Sequence, residues 1–208
     1  LLLAAGAQPF VPAVAGREKA GVFCLRTLAD ARAIRARAGG RAVVLGGGLL
    51  GLETAHALSD AGAEVTVVET APYLLPRQLD REGAAVLQAR LEALGLKVVT
   101  GVDATAIEGG EAAAGVTLRD GRVLPADTVL FSTGIVARAE LARAAGLEVN
   151  CGVAVDGRMR TSAPDVFAAG DVAAYNGRLY GQIQPALEQA RAAAAFMAGA
   201  DAPEYAGT

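Results

Sequence analysis

The run Gly46-Gly47-Gly48-Leu49-Leu50-Gly51 constrains this chain more than any other feature. It fits the pattern G-x-G-x-x-G, and its flanks give the match weight. Ala42-Val43-Val44-Leu45 is a continuous apolar run, as in a strand buried on both faces of a parallel sheet. Leu52 to Ala61 reads as a helix closed by Gly62, and Glu64 to Val68 as a second buried strand ending at Glu69. Together they make a β-α-β unit of about 30 residues. In that setting Gly46 permits a tight turn, Gly48 leaves the backbone open to a pyrophosphate, and Gly51 lets helix and strand pack closely. The helix start adds unpaired N–H groups and a positive dipole end. Glu69, about 20 residues on, is placed to accept hydrogen bonds from ribose hydroxyls and to repel a 2′-phosphate. The motif therefore predicts NAD(H) binding, with NADH preferred over NADPH. The plainer alternative is an ordinary strand-to-helix turn followed by a solvated acid.

The rest of the chain alternates strands and helices. Leu1 to Ala5 is a strand candidate before a Gly6 turn, and Val22 to Leu25 is another. Thr27 caps a helix predicted over Leu28 to Ala38, with Leu28, Ala31, Ile34 and Ala38 on one face. A helix over Asp80 to Leu94, C-capped by Gly95, leads to a strand at Leu96 to Thr100. Val102 to Leu124 reads as an antiparallel excursion turning at Asp120-Gly121. Thr128 to Phe131 returns to a buried strand that stops at Thr133-Gly134. A short helix at Glu140 to Ala145, strands at Val153 to Val155 and Val166 to Ala169, and a helix from Pro185 to Ala198 complete the reading. This order indicates an α/β fold with a mostly parallel sheet. The chain opens on Leu1 inside an apolar run with no turn before it, so a longer polypeptide is expected.

Charge and cysteine usage remove several function classes. A net charge of −3 and a pI near 5.3 argue against nucleic acid as partner. No apolar stretch approaches the roughly 20 residues needed to cross a bilayer, so no membrane role is expected. Cys24 and Cys151 stand far apart, and with His56 as the one histidine they fill no metal site of ordinary spacing. They read as packing residues in a reducing, cytoplasmic setting. Arg32, Arg35 and Arg37 read as a solvated helix face; Arg77, eight residues beyond Glu69, reads as a surface charge, with a contact to a 2′-phosphate as the alternative.

A second stretch widens the picture. Pro164-Asp165-Val166-Phe167-Ala168-Ala169-Gly170-Asp171 is an apolar strand ending in Gly-Asp. With the glycine turn, Thr133-Gly134 and Leu3-Ala4-Ala5-Gly6-Ala7-Gln8-Pro9, it resembles the two-dinucleotide-binding-domain flavoproteins, the FAD-dependent pyridine nucleotide-disulfide oxidoreductases. Three further stretches, Arg77 to Asp80, Gly152 to Asp156 and Tyr175 to Gly181, are similar to the non-disulfide branch. That branch includes rubredoxin-reductase-like proteins and the flavin modules of NADH-dependent nitrite and nitrate reductases. The resemblance covers essentially the whole chain.

The resemblance implies a Rossmann-like NAD domain, residues 26 to 133, inserted into a partial FAD domain formed by residues 1 to 25 and 134 to 208. It implies FAD contacts at Gly6, Gly170 and Asp171, with Asp171 on the ribityl hydroxyls and the helix near Pro185 aimed at the flavin's pyrimidine edge. For NAD it implies Gly46, Gly48, Leu49, Leu50 and Gly51 in the turn, Glu53 near the nicotinamide, Glu69 on the ribose and Gly134 lining the site. The implied activity passes hydride from NADH to FAD. Electrons then go to an acceptor protein or fused reductase domain, such as rubredoxin, ferredoxin or a nitrite or nitrate reductase centre. No side chain need act as acid or base for that hydride transfer. The sequence departs from the family in four places. The FAD half's own glycine motif is absent from these residues, and so is the disulfide branch's cysteine pair. Ala4-Ala5-Gly6 stands for the usual Ala-Thr-Gly, and Leu49 stands where many relatives place an aromatic residue over the flavin. Two rival functions remain open: a non-catalytic NAD-binding or sensing module, and a flavin-dependent disulfide or peroxide reductase.

Overall fold

The computed structural model describes residues 1–37 and 39–207. In chain order the strands and helices are β1 (Leu2–Leu3), β2 (Ala7–Pro9), β3 (Val22–Cys24), α1 (Leu28–Arg35), β4 (Arg41–Leu45), α2 (Leu49–Asp60) and β5 (Glu64–Glu69). Then come α3 (Arg81–Ala93), β6 (Lys97–Thr100), β7 (Ala104–Glu108), β8 (Gly115–Leu118), β9 (Val123–Pro125), β10 (Thr128–Phe131) and β11 (Ile135–Ala137). The chain continues through α4 (Glu140–Ala144), β12 (Val153–Val155), β13 (Phe167–Ala168), β14 (Ala173–Tyr175) and α5 (Ile183–Met197). It divides into two compact units, Pro9–Gly134 and the pair of segments Leu1–Gln8 with Ile135–Thr208.

The unit Pro9–Gly134 is built on a five-stranded parallel sheet in the order β3-β10-β4-β5-β6. Successive residues of β4 point to opposite faces. Ala42 and Val44 join one core cluster with Leu52, Leu58, Leu74, Leu91 and Leu130. Val43 and Leu45 join another with Val116, Leu118, Val129 and Phe131. Both faces are therefore dry, which is why β4 and β10 carry no alternating polar residue. Residues of α2 and α3 pack into the first cluster. Residues of the antiparallel sheet β7-β8-β9 pack into the second. The strand order reverses at β4, which has β5 on one side and β10 on the other. In open parallel sheets such a reversal opens a crevice beyond the strands' carboxyl ends.

The opposite ends of β4 and β10 are tied by Asp127. Its carboxylate accepts from the Arg41 backbone N–H at 3.0 Å and from the Arg41 guanidinium at 3.3 Å. That guanidinium holds the Asp127 carboxyl below the usual carboxylate range. Hydrogen bonds from the Thr27 backbone, Lys97 and Arg122 do the same for Asp30, Glu64 and Asp120. A carboxyl lowered in the folded state adds stability above its unfolded-state pKa and loses it as pH falls through the folded value. The melting temperature is therefore expected to be flat near neutrality and to fall as the pH is lowered through the carboxylate range. Asp127→Asn should remove part of that slope. A slope unchanged by the substitution would show that the pair contributes nothing in solution.

The second unit holds the parallel pairs β1-β13 and β12-β14 and the pair β2-β11. Ala192 and Ala193 of α5 pack with Met159, Phe167 and Tyr205. Tyr175 and Tyr180 meet the Tyr205 ring edge-on, with centroids 5.1 and 5.8 Å away. Among the described residues no helix is long and apolar enough to cross a membrane.

Several expected boundaries move. Residues 9–25 sit with the five-stranded sheet because β3 pairs with β10, Val22 opposite Val129. The unit boundary thus falls after Gln8 rather than after residue 25. The strand expected over Leu1 to Ala5 shortens to Leu2–Leu3. The first helix ends at Arg35, and Ala38 lies outside the described residues. α2 starts at Leu49, not Leu52, because Gly48 already serves as its N-cap. α5 starts at Ile183, with Pro185 its third residue. A proline in the first turn lacks only an N–H that would have no helical partner, so it marks a helix start without fixing the first residue. β2, β11 and β14 are three-residue strands with no periodicity to announce them.

Candidate functional site

The glycine turn leaves β4 at the reversal point, and its glycines answer to different demands. Gly46 has φ +117°, and a Cβ there would lie 2.2 Å from the Ser132 carbonyl oxygen. A Cβ on Gly51 would lie 2.1 Å from the Gly46 carbonyl oxygen. Both are required by close backbone packing. Gly48 is not: its φ of −77° suits any residue, and a Cβ there would meet nothing within 4 Å. Neither backbone strain nor a neighbour calls for glycine at 48. The open space beside it is where a ligand would approach the main chain.

The helix that follows has a bare N-terminus. Its N-cap, Gly48, offers no side chain, and its first turn holds no acid. By contrast α1 starts in a Thr27–Asp30 capping box, and α3 starts under Asp80 with Glu82 in its first turn. The first N–H groups of α2 thus keep their donors and positive potential for something outside the helix. Leu49 and Leu50 flank them, about half exposed. Glu53 is exposed one turn further on.

Glu69 closes the other side of the turn. Its Oε2 accepts from the Gly47 N–H and its Oε1 from the Ala71 N–H, both at 2.7 Å. An ionised carboxylate has about four lone-pair sites, so two remain for further donors. Beyond it, past the carboxyl ends of β5 and β6, lies a cleft of about 270 Å³ lined by Thr70, Gly101, Val102, Asp103, Arg119 and Asp120. At the end of β10, Ser132 donates its N–H to Leu45 O, and Thr133 Oγ1 donates to Phe10 O. Gly134 follows, exposed, with φ +101°. The structure thus brings Gly46, Gly48, Gly51 and Glu69 together and leaves Glu53 and Gly134 exposed.

In the second unit, the residues expected to hold a second dinucleotide follow the carboxyl ends of β1 and β13, paired Leu3 to Ala168. Gly6 has φ +70° and open space where a Cβ would stand. Gly170 has φ +79°, and its N–H donates at 2.8 Å to Oε1 of Gln189, a side chain 1% exposed. Asp171 is half-buried beside it. α5 repeats the feature of α2: no side-chain cap and no acid in the first turn.

Over residues 1–195 the chain matches the model of a known family, the pyridine nucleotide-disulphide oxidoreductases. The chain belongs to that family. It is 44% identical over 203 residues to the nitrite reductase [NAD(P)H] large subunit of Klebsiella oxytoca, covering 96% of this chain and 21% of that one. It is 43% identical over 184 residues to the biphenyl dioxygenase system ferredoxin–NAD(+) reductase component of Paraburkholderia xenovorans, covering 88% and 45%. Among solved structures it is similar to the ferredoxin reductase for the CYP199A2 system from Rhodopseudomonas palustris. The TM-score is 0.92 at 35% identity, over 98% of this chain and 52% of that one. The chain therefore spans between a fifth and about half of these relatives. The fold is that of the two-dinucleotide-binding flavoprotein reductases.

Within this member of the family, some contributors to the site escape sequence reasoning. Gly47, Ala71 and Ser132 act through backbone groups, which a motif does not distinguish. Leu74 is fully buried against the turn yet reads in sequence as loop. Gln189 had one weak signal, an amide in an alanine-rich helix. Other residues stand apart from the site. His56 pairs with Asp60 on the exposed face of α2. Burial, and then the nearby Asp30, push the Cys24 thiol up, which keeps it protonated and unreactive. Cys151 Sγ contacts Gly177 O at 3.3 Å. Among the described residues no group of three or more His, Cys, Asp or Glu side chains gathers to hold a metal ion.

Proposed function

We propose that this chain is the NAD(H)-binding part and a share of the FAD-binding part of an NADH-dependent oxidoreductase that sends electrons to an acceptor protein or fused reductase domain. The observation that carries the reading is Gly48, a glycine that no neighbour and no backbone angle requires, at the uncapped start of α2. The diphosphate would lie against its main chain and the first-turn N–H groups. Glu69 would accept from the ribose hydroxyls with its two remaining lone-pair sites, and its charge would disfavour a 2′-phosphate. The cleft past β5 and β6 would take the adenine. Leu49, Leu50, Glu53 and Gly134 would border the nicotinamide half.

Gly6, Gly170 and Asp171 fit FAD in the same sense. Gly6 leaves open space at a strand's carboxyl end, Asp171 supplies acceptors, and the bare start of α5 at Ile183 to Pro185 supplies positive potential. When bound, FAD supplies a two-electron acceptor for the hydride and a donor of single electrons. The chain's own task is to hold both cofactors and set the field around them. The names of the relatives, a nitrite reductase large subunit and a ferredoxin–NAD(+) reductase component, support an electron-accepting partner. The same reading puts the protein in the reducing cytoplasm, where Cys24 and Cys151 stand as free thiols.

Anaerobic addition of NADH to the FAD-loaded protein tests the proposal. The flavin's visible absorption should bleach, NADPH should act far more slowly, and an added acceptor protein should restore the colour. Protein that binds NADH but retains no flavin would overturn the reading in favour of a sensing module. Reduced flavin that reoxidises only on disulfides or peroxides would overturn the electron-carrier assignment.

A further inference from the structure

Gly47 occupies the variable position of the motif, yet any side chain there would have to displace its neighbours. Its φ lies outside the left-handed range, so the backbone does not require it. A Cβ would stand 2.6 Å from Leu74 Cδ2, 3.0 Å from Glu69 Cβ and 3.2 Å from Glu69 Oε2. Leu74 comes from the irregular segment between β5 and α3, and its side chain is fully buried. Behind it lie Leu52, Leu91 and the rest of the helix-side core. In front it presses on Gly47, whose N–H is held by Glu69.

The next residue shows how the segment is kept there. Leu75 has φ +51°, a conformation that disfavours a leucine, and it is buried nonetheless. Its carbonyl accepts from Gln78 N at 2.9 Å and Leu79 N at 3.0 Å, closing a turn before Asp80 starts α3. Such strain persists where the surroundings over-determine it and clusters at ligand clamps. With both leucines turned inward, Leu74 cannot retreat from the glycine turn.

We propose that Leu74 is a positioning residue for the ribose end of the dinucleotide. Wedged against Gly47 and locked by left-handed Leu75, it sets the turn against Glu69. Each carboxylate oxygen then takes one backbone N–H and turns its other lone pair outward. This inference rests on the NAD(H) reading above.

The test is direct titration of NADH and NADPH into the full chain, with a melting curve for each variant. Leu74→Ala should weaken NADH about tenfold and cut the NADH-over-NADPH preference about fivefold, within the range seen between touching residues. Leu74→Met should restore both, since it conserves volume. Gly47→Ala should also weaken NADH. Adding Leu74→Ala to it should recover part of the loss, because the new methyl then has room. If Leu74→Ala does not fold, Leu74→Val takes its place with a smaller effect in the same direction. A purely structural role would lower the melting temperature without moving the cofactor ratio. Unchanged NADH affinity and ratio in the leucine variants, or a double variant no better than Gly47→Ala, overturns the inference while leaving the dinucleotide reading intact. Failure of the unsubstituted chain to bind NADH overturns both.

Discussion

Gly48→Val is expected to abolish NADH binding while leaving the melting temperature close to that of the unsubstituted protein. The two halves of that expectation have separate causes. Position 48 has an extended backbone (φ −77°, ψ 174°) that valine adopts without strain. A Cβ there meets nothing within 4 Å, so no packing is disturbed. The branched side chain would instead occupy the space through which a diphosphate reaches the first N–H groups of α2. Losing those charge-assisted hydrogen bonds should cost at least about 3 kcal/mol, roughly a hundredfold in affinity or more. Gly51→Ala should behave in the opposite way. Its methyl would sit 2.1 Å from the Gly46 carbonyl oxygen, which belongs to the backbone and cannot swing aside. Overpacking of this kind costs about 1–3 kcal/mol or more and should appear first in the melting curve. Fluorescence titration with NADH, run beside thermal unfolding, separates the two. If Gly48→Val binds NADH as the native chain does, the turn is an ordinary strand-to-helix connection and the dinucleotide reading fails.

That contrast also shows where sequence reasoning reaches its limit. The pattern G-x-G-x-x-G assigns a function to each glycine from its position; the structure supplies a packing reason for Gly46 and Gly51 and none for Gly48, where only the open space beside the backbone bears on the choice of glycine. The central strands were equally legible, because a strand dry on both faces is almost wholly apolar, as Val43, Val44, Val129 and Leu130 attest beside a single buried Thr128. Short elements were not. β2, β11 and β14 are held by pairing between residues distant in sequence, and three residues carry no period. Leu74 and Leu75 illustrate a further limit. Between Pro72 and Pro76 they look like loop, and their burial depends on a positive φ that no leucine advertises. The boundary after Gln8 was missed for a related reason. The stretch from Pro9 to Gly21 is irregular, and it joins the unit Pro9–Gly134 through pairings between residues distant in sequence, Ala15 with Ala106, Ala20 with Ala112 and β3 with β10.

Glu69→Gln should weaken NADH about 10- to 100-fold and bring NADPH close to parity with it. The carboxylate serves two backbone donors at once, Gly47 N–H and Ala71 N–H, each at 2.7 Å. An amide has one acceptor oxygen, so its NH₂ group must face one of those N–H groups and repel it. The remaining acceptor sites that would hold the ribose hydroxyls are halved, and the negative charge opposing a 2′-phosphate is gone. Hydrogen bonds to charged groups contribute about 1.5–3 kcal/mol each, which sets the range expected for NADH. NADPH has a phosphate in place of the 2′-hydroxyl, so it has less hydrogen bonding to lose and gains relief from repulsion; its affinity should fall little or rise. The comparison between cofactors is what makes the measurement decisive. If Glu69 acted only as a brace for the glycine turn, the substitution would weaken both cofactors equally, because both present the same diphosphate to Gly48. An unequal loss places the carboxylate on the sugar; an equal one confines it to the loop and removes the basis for an NADH preference.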